Sequence, residues 1–158
     1  MTKPLPIDHY ALRVLDRYAA LPSYTRAGYE VVDSFDLTLE DGSTARSYAL
    51  SSPYGPDVFI SSGPPDSLIW NWVQEHGGQG GLHHVAYEVG DVAAKMTEWR
   101  KLGVEFKELL VCSCEQALVQ VFTEPDPATG MITELITRNG HPGFCEENVR
   151  RLMALTAD

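Results

Sequence analysis

The segment GGLHHVAYEV, residues 80–89, places two adjacent histidines at the head of an apolar run that alternates like a strand. A near copy of it, PIDHYALRV at residues 6–14, lies at the start of the chain. When the sequence is aligned with itself so that His9 matches His84, residues 7–30 align with residues 82–105. Seven of the 24 aligned positions are then identical: His9/His84, Ala11/Ala86, Val14/Val89, Asp16/Asp91, Ala19/Ala94, Gly28/Gly103 and Glu30/Glu105. Such a repeat predicts two copies of one structural unit.

Each copy is predicted to form a strand, a helix and three further strands. Asp16 and Asp91 are suited to cap the two helices at their first turns. Strand-like runs follow each helix: YEVVDSFDL, ARSYALSS and DVFISS in the first copy, and VEFKEL, ALVQVFT and MITELIT in the second. Neither copy can bury both faces of its sheet alone. We therefore expect an α+β fold in which two paired βαβββ modules form a curved sheet around a cleft.

The expected organisation is a single domain over residues 1–158. Its parts are a first module at about residues 5–63, a linker helix at about 64–79, a second module at about 80–140 and a C-terminal helix at about 145–156.

Charge and composition exclude several classes of partner. The net charge of −10 disfavours contact with phosphate backbones, so no nucleic-acid partner is expected. The apolar runs are too short to cross a membrane, and the N-terminal residues lack the apolar core of a signal peptide. A cytoplasmic location is therefore expected. Cysteines occur at 112, 114 and 145 without a CxxC pair, and ordinary reduced thiols are expected there.

The alternation of strand side chains distinguishes the two adjacent histidines. His9 and His84 share a strand face with Ala11 and Ala86, whereas the larger apolar residues occupy the opposite face. The strand faces with large apolar residues should pack under the helices, and the faces with alanine residues should line the cleft. His9 and His84 are therefore predicted to point into the cleft. His83 is predicted to face the helices, to hold a backbone carbonyl or reach the rim of the pocket, and not to bind metal.

A carboxylate supplies the third candidate ligand. Glu134 lies inside the apolar run MITELIT, where a charge is costly unless it is paired or bound to a cation. Under the alignment that pairs His9 with His84, its repeat mate is Phe59. Two histidines and one carboxylate form the facial triad of non-haem Fe(II) oxygenases. Zinc or manganese could use the same groups.

The rest of the cleft is expected to be mainly apolar or neutral. Its predicted lining comprises Ser47, Gln120, Phe122, Ile132 and Phe144. Such a surface suits a small, partly aromatic or apolar organic acid. Arg13 lies on the His9 face of its strand, where it could pair with a carboxylate or lie at the surface.

These residues also carry a resemblance to a known family. The chain resembles the vicinal oxygen chelate superfamily, and within it the catalytic domain of the 4-hydroxyphenylpyruvate dioxygenase family. The matching segments are IDH at 7–9, GGQGGLHHVAYEVGDV at 77–92, LVQVFTEP at 118–125 and ITELITRNGHPGFCEENVRRLMAL at 132–155. The resemblance implies iron ligands at His9, His84 and Glu134, and substrate contacts at Ser47, Gln120, Phe122 and Phe144. It implies an Fe(II)-dependent dioxygenase that uses O2 and a small, 2-oxo acid substrate.

Other interpretations remain open. Residues 63–92 resemble the methylmalonyl-CoA epimerase family, but Phe59 or Val58 stands where that family has a fourth ligand, and TARSYALSS lacks its glutamate. An epimerase using Co, Mn, Zn or Ni is therefore the alternative, and a metal-free binding protein of the bleomycin-resistance kind is the third. The dioxygenase family differs at His83, Leu68 and Val149, which leaves the substrate open. A homodimer is an alternative to a monomer.

Overall fold

A computed structural model describes residues 3–115 and 117–156. The first module contains β1 (Ile7–Val14), α1 (Arg17–Thr25), β2 (Glu30–Thr38), β3 (Thr44–Ser51) and β4 (Asp57–Ser62). The helix α2 (Leu68–Glu75) connects it to β5 (Gly80–Glu88), α3 (Val92–Arg100), β6 (Leu110–Val111), β7 (Val119–Phe122) and β8 (Ile132–Thr137), and α4 (Glu146–Leu155) follows. None of these helices is long and apolar enough to cross a membrane.

The eight strands form one sheet in the order β2-β3-β4-β1-β5-β8-β7-β6. The first strands of the two modules, β1 and β5, pair antiparallel at its centre. In each module the last strand pairs parallel with the first, so that Ala11 lies opposite Phe59 and Ala86 opposite Glu134. The alignment of the two copies therefore holds from the first strand of each module to the last. The predicted α+β fold of paired modules is confirmed.

The equivalent helices α1 and α3 begin and end at the residues that the repeat indicates. The carboxylates of Asp16 and Asp91 accept hydrogen bonds from backbone N–H groups in the first turns. Gly28 and Gly103 follow the helices with φ of 96° and 90°, a conformation that glycine adopts without steric cost. The same local signals thus produce the same helix twice.

The second module departs from the prediction at the edge of the sheet. The segment VEFKEL, residues 104–109, was expected to form a strand, but only Phe106 pairs within it, through an isolated bridge to Thr123. The strand that follows this segment, β6, is limited to Leu110–Val111. This segment lies at the outer edge of the sheet, where a strand has a partner on one side only. Its alternating sequence therefore pairs over a shorter length than expected.

The cysteines also differ from the expectation of reduced thiols. The structure joins Cys112 and Cys114 in a disulfide with their Cα atoms 5.3 Å apart. In a strand, residues two apart are about 6.7 Å apart, but the chain bends after Val111 and brings them closer. This spacing lies within the range of a disulfide. Cys145 stays a free thiol, with its Sγ 2.7 Å from that of Cys112.

The cleft lies between the sheet and α4. On one side of the sheet, α3 packs against the strands of the second module through the cluster Val89, Val92, Met96, Val121 and Leu135. The apolar side chains Val149 and Met153 of α4 belong to a different cluster, which contains Ala11 and Phe59. The small-residue face of β1 and the last helix thus enclose the space into which the candidate ligands project.

Candidate metal centre

Three buried side chains from three strands converge in the cleft. His9 is on β1, His84 on β5 and Glu134 on β8. The Nε2 atoms of His9 and His84 each lie 3.4 Å from a different carboxylate oxygen of Glu134. One nitrogen or oxygen atom from each side chain lies within 4.8 Å of the others, so this cluster could hold a metal ion.

The chemistry of the three groups fits a divalent cation. The Nε2 atom of His84 is buried and has no hydrogen-bond partner among the described residues. Burial, together with the charge of Arg13, lowers the pKa of His84 to about 3, so its ring is neutral at pH 7. Burial also raises the pKa of Glu134, although His9 opposes this shift. A cation between them would coordinate the free nitrogen and neutralise the carboxylate.

Two β-bulges place a further residue behind each candidate histidine. The pairing of β1 with β5 skips Asp8 on one strand and His83 on the other. His9 Nδ1 donates to Asp8 Oδ2 over 2.6 Å, and His84 Nδ1 lies 2.7 Å from His83 Nδ1. Asp8 and His83 are themselves equivalent positions of the repeat. Each candidate histidine therefore contacts, through Nδ1, the residue that precedes it.

The bulge corrects the predicted direction of His83. That side chain was expected to face the helices, but it lines the same cavity as His84. Simple alternation holds only while every residue has a partner, and an unpaired residue changes the side of the sheet to which its neighbours point. The ring of His83 also contacts Trp72 of α2 at a centroid distance of 5.4 Å. His83 is not one of the three converging residues.

Asp8 is itself held by a cation. Arg138 Nε and Nη2 donate to its two carboxylate oxygens over 2.6 and 2.9 Å. Burial acts against ionisation of Asp8, but the hydrogen bonds from His9 and Arg138 outweigh it and lower the pKa to about 2. A carboxylate behind a histidine fixes the ring and raises its basicity towards a metal. Neither Asp8 nor Arg138 was predicted from the sequence, although an acid directly before a candidate ligand was a usable signal.

Glu134 is oriented from the opposite side. Gln120 Nε2 donates to Glu134 Oε2 over 3.4 Å, and Asn148 Nδ2 donates to Gln120 Oε1 over 3.0 Å. Asn148 also donates to the carbonyl of Leu118. The amide of Gln120, predicted to contact substrate, is thus also linked to a candidate ligand and to α4. Nothing in its local sequence marked Asn148 for this role.

The cavity includes some of the predicted lining residues and not others. It is lined by His9, Ala11, Leu12, Arg13, Phe59, Ser61, His83, His84, Gln120, Phe122, Glu134, Phe144, Val149, Leu152 and Met153. Ser47 and Ile132 do not line it. Ser47 lies one strand further out, opposite Ser61, to which it is hydrogen-bonded over 2.8 Å. Ile132 is the first residue of β8, two positions before Glu134.

Apolar rings occupy the position related by the repeat to Glu134. The Phe59 ring lies 4.8 Å from that of Phe144, which is 4.9 Å from the His9 ring. The cavity measures only about 40 Å³, whereas sites for small molecules are typically about 300 Å³ or more. The cavity enclosed by these side chains and α4 is therefore smaller than a typical substrate site.

A family model agrees with this architecture. The model of the Glyoxalase/Bleomycin resistance protein/Dioxygenase superfamily matches residues 8–111. The chain belongs to this superfamily. Its description includes dioxygenases, which agrees with the resemblance inferred from the sequence. No curated protein sequence matches the chain.

Solved structures share the fold at low sequence identity. A triple mutant of 4-hydroxymandelate synthase from Streptomyces coelicolor is similar with a TM-score of 0.83 and 20% identity, covering 99% of this chain and 54% of that one. The chain thus spans about half the length of that synthase. Methylmalonyl-CoA epimerase from Mycobacterium tuberculosis has a TM-score of 0.67 and 21% identity, covering 87% and 92% of the two chains. A hypothetical protein from Bacillus halodurans has a TM-score of 0.69 and 19% identity, covering 90% and 100%.

Proposed function

We propose that this chain is a non-haem Fe(II)-dependent dioxygenase that acts on a small 2-oxo acid. The observation that supports it best is the convergence of two imidazole nitrogens on separate oxygens of Glu134. The repeat-related position holds Phe59, which cannot bind a metal. A metal ion held by three protein ligands, with an apolar side chain at the repeat-related position, would have open coordination positions for substrate and O2.

The residues of the site would bind the metal, orient a ligand or exclude water. Fe(II) bound by His9, His84 and Glu134 would supply the chemistry by which O2 oxidatively decarboxylates a 2-oxo acid and transfers oxygen to the same molecule. Asp8 holds the His9 ring with its lone pair directed at the site. The aromatic side chains Phe59, Phe122 and Phe144 exclude water from the reacting groups.

The alternative function is that of an epimerase, which the similarity of the fold to methylmalonyl-CoA epimerase supports. Epimerisation needs a base that removes a proton from one face of a carbon and an acid that returns it to the other. Glu134 is the only carboxylate among the described residues that line the cavity, and it faces the two histidines. A carboxylate base other than this candidate metal ligand is therefore absent from the described lining, and His83 is the lining side chain beside the candidate ligands that an epimerase could use as a base.

Metal analysis tests the proposed ligands. The variants His9→Ala, His84→Ala and Glu134→Ala should each lose most bound Fe(II), because each removes one of three donors. The exposed His76 offers a matched control, and His76→Ala should retain metal. Metal contents equal to that of His76→Ala in all three variants would refute the site.

Gas and isotope measurements separate the two reactions. The dioxygenase requires O2 uptake and CO2 release that depend on both a 2-oxo acid and added Fe(II). The epimerase instead requires exchange of a substrate α-proton with solvent deuterium under nitrogen, with Co(II) or Mn(II) sufficient. Anaerobic exchange without O2 uptake across a panel of 2-oxo acids, catechols and CoA esters would overturn the proposed reaction.

A further inference from the structure

One buried cation in the cavity has no anionic partner among the described residues. The side chain of Arg13 is only 4% exposed and lines the cavity with His9, so the surface location left open by the sequence does not apply. Its hydrogen bonds go to Thr156, over 2.6 Å to Oγ1 and 3.4 Å to the carbonyl oxygen. Within residues 3–115 and 117–156 it forms no salt bridge. A buried charge of this kind is costly unless something compensates it.

Compensation from the protein is partial. Thr156 caps the C-terminal end of α4, where the helix carries partial negative charge that favours a cation. The guanidinium also lies 5.7 Å from the ring centroid of Trp72. Even so, the charged form of Arg13 is poorly solvated in its buried position, and this burial lowers its pKa to about 9. A carboxylate from a ligand would supply the missing counter-charge.

A second hydrogen-bond donor faces the same region. If His84 presents its Nε2 lone pair to a metal, its proton is on Nδ1 and is donated to His83 Nδ1, 2.7 Å away. The neutral ring of His83 then carries its own proton on Nε2. That atom is buried without a hydrogen-bond partner, and the His83 ring contacts the same Trp72 as Arg13. The cavity thus contains, near Trp72, a hydrogen-bond donor without a partner at His83 Nε2 and a buried cation without an anionic partner at Arg13 among the described residues.

We propose that Arg13, assisted by His83, forms a subsite for an acidic group at the far end of the substrate. The substrate is then a 2-oxo dicarboxylic acid, which places its 2-oxo acid group at His9, His84 and Glu134 and its second carboxylate at Arg13. This assignment rests on the proposed function, because the metal must hold the first end.

The geometry of β1 supports a ligand that spans both groups. His9 and Arg13 are four residues apart on one strand, so their Cα atoms are about 13 Å apart and both side chains project into the cavity. A ligand that contacts both groups would therefore carry its two acidic groups at opposite ends of a short carbon chain. The planar guanidinium is suited to a carboxylate because it donates two parallel hydrogen bonds.

Paired probes of equal length test the subsite. The Co(II)-loaded protein is titrated by calorimetry under nitrogen with 2-oxoglutarate against 2-oxopentanoate, and with 2-oxoadipate against 2-oxohexanoate. For at least one pair, the wild type should bind the dicarboxylate at least about tenfold more tightly. Arg13→Met should remove this preference and leave the affinity for the monocarboxylate within about threefold of the wild-type value.

Two further variants separate ligand binding from a structural role. Thr156→Val removes the hydroxyl partner of Arg13 but keeps the guanidinium, so the preference should persist. Arg13→Lys keeps the charge and loses the paired donors, so it should retain part of the preference, and it provides the measurement should Arg13→Met fail to fold. Equal affinities in the wild type, a preference that survives in Arg13→Met or is undiminished in Arg13→Lys, or its complete loss in Thr156→Val would overturn the proposal.

These binding results are independent of the reaction. Failure of the dioxygenase proposal appears as absent O2 uptake, while the anaerobic preference for dicarboxylates and its loss in Arg13→Met would still hold. Conversely, O2 uptake with monocarboxylic 2-oxo acids and no dicarboxylate preference would support the reaction and refute the subsite.

Discussion

The substitution Asp8→Asn removes the negative charge behind His9 with little change of shape. In the wild type, Asp8 accepts a hydrogen bond of 2.6 Å from His9 Nδ1 and two from Arg138. Loss of such a partner typically weakens metal binding by about 10- to 100-fold, or about 1.4 to 2.8 kcal/mol. We expect this loss for Fe(II) or Co(II), because the neutral amide no longer favours a basic, correctly oriented imidazole.

The same substitution changes the pH dependence of stability. The pKa of Asp8 is about 2 in the folded protein against 3.8 for the free side chain, a difference worth up to about 2 kcal/mol of unfolding free energy at neutral pH. Because the folded pKa is the lower one, this contribution is fully present above about pH 4 and disappears as the pH falls through about 2. The stability gap between metal-free wild type and Asp8→Asn should therefore narrow over that interval.

Two assays check these values. Competition between the protein and a chromophoric chelator for Co(II) measures the affinity, and urea unfolding of the metal-free proteins at several pH values measures the stability. Asp36→Asn is the matched control, because Asp36 pairs with Arg17 over 3.4 Å but is 66% exposed. It should change stability by less than about 1 kcal/mol and leave metal affinity unchanged. Wild-type metal affinity in folded Asp8→Asn would show that Asp8 does not support His9 as a metal ligand.

Three further predictions concern the cavity and the core. His83→Ala should keep metal to within about tenfold of wild-type affinity while His84→Ala loses most of it, and chelator competition showing the reverse order would make His83 the ligand. Phe59→Glu should retain metal but reduce O2 uptake, because a fourth protein ligand fills a coordination position; undiminished uptake would count against the open site. Leu135→Ala should lower the unfolding free energy by about 2 to 5 kcal/mol, since Leu135 is fully buried beneath α3. A loss below about 1 kcal/mol in urea unfolding would contradict this packing.

Much of the candidate site was predictable because strand alternation and the repeat act together. Identical spacing in the two copies placed His9 and His84 on equivalent faces, and an isolated acid in an apolar strand pointed to Glu134. The parallel pairings Ala11–Phe59 and Ala86–Glu134 bear out the same alignment in the structure. The spacing of these residues along the chain was enough because each lies within a regular strand.

The side chain of His83 contacts helix α2, as expected, but it also lines the cavity, because β1 and β5 pair with a bulge at this residue. A bulge is a property of two paired strands, since it arises where one has a residue more than its partner. Neither strand reveals it alone, and a displacement of one residue reverses the face of a side chain. The bend that brings Cys112 to Cys114 likewise depends on where the short edge strand stops pairing.

The paired-module fold and the three converging side chains could be predicted from the sequence, because both follow from a local periodic pattern that occurs twice. The contacts that support those side chains form only in the folded chain. Asp8 meets Arg138 across 130 positions of sequence, and Arg13 meets Thr156 across 143. Whether a polar residue is buried, and which partner satisfies it, depends on segments that are distant in the chain and adjacent only after folding.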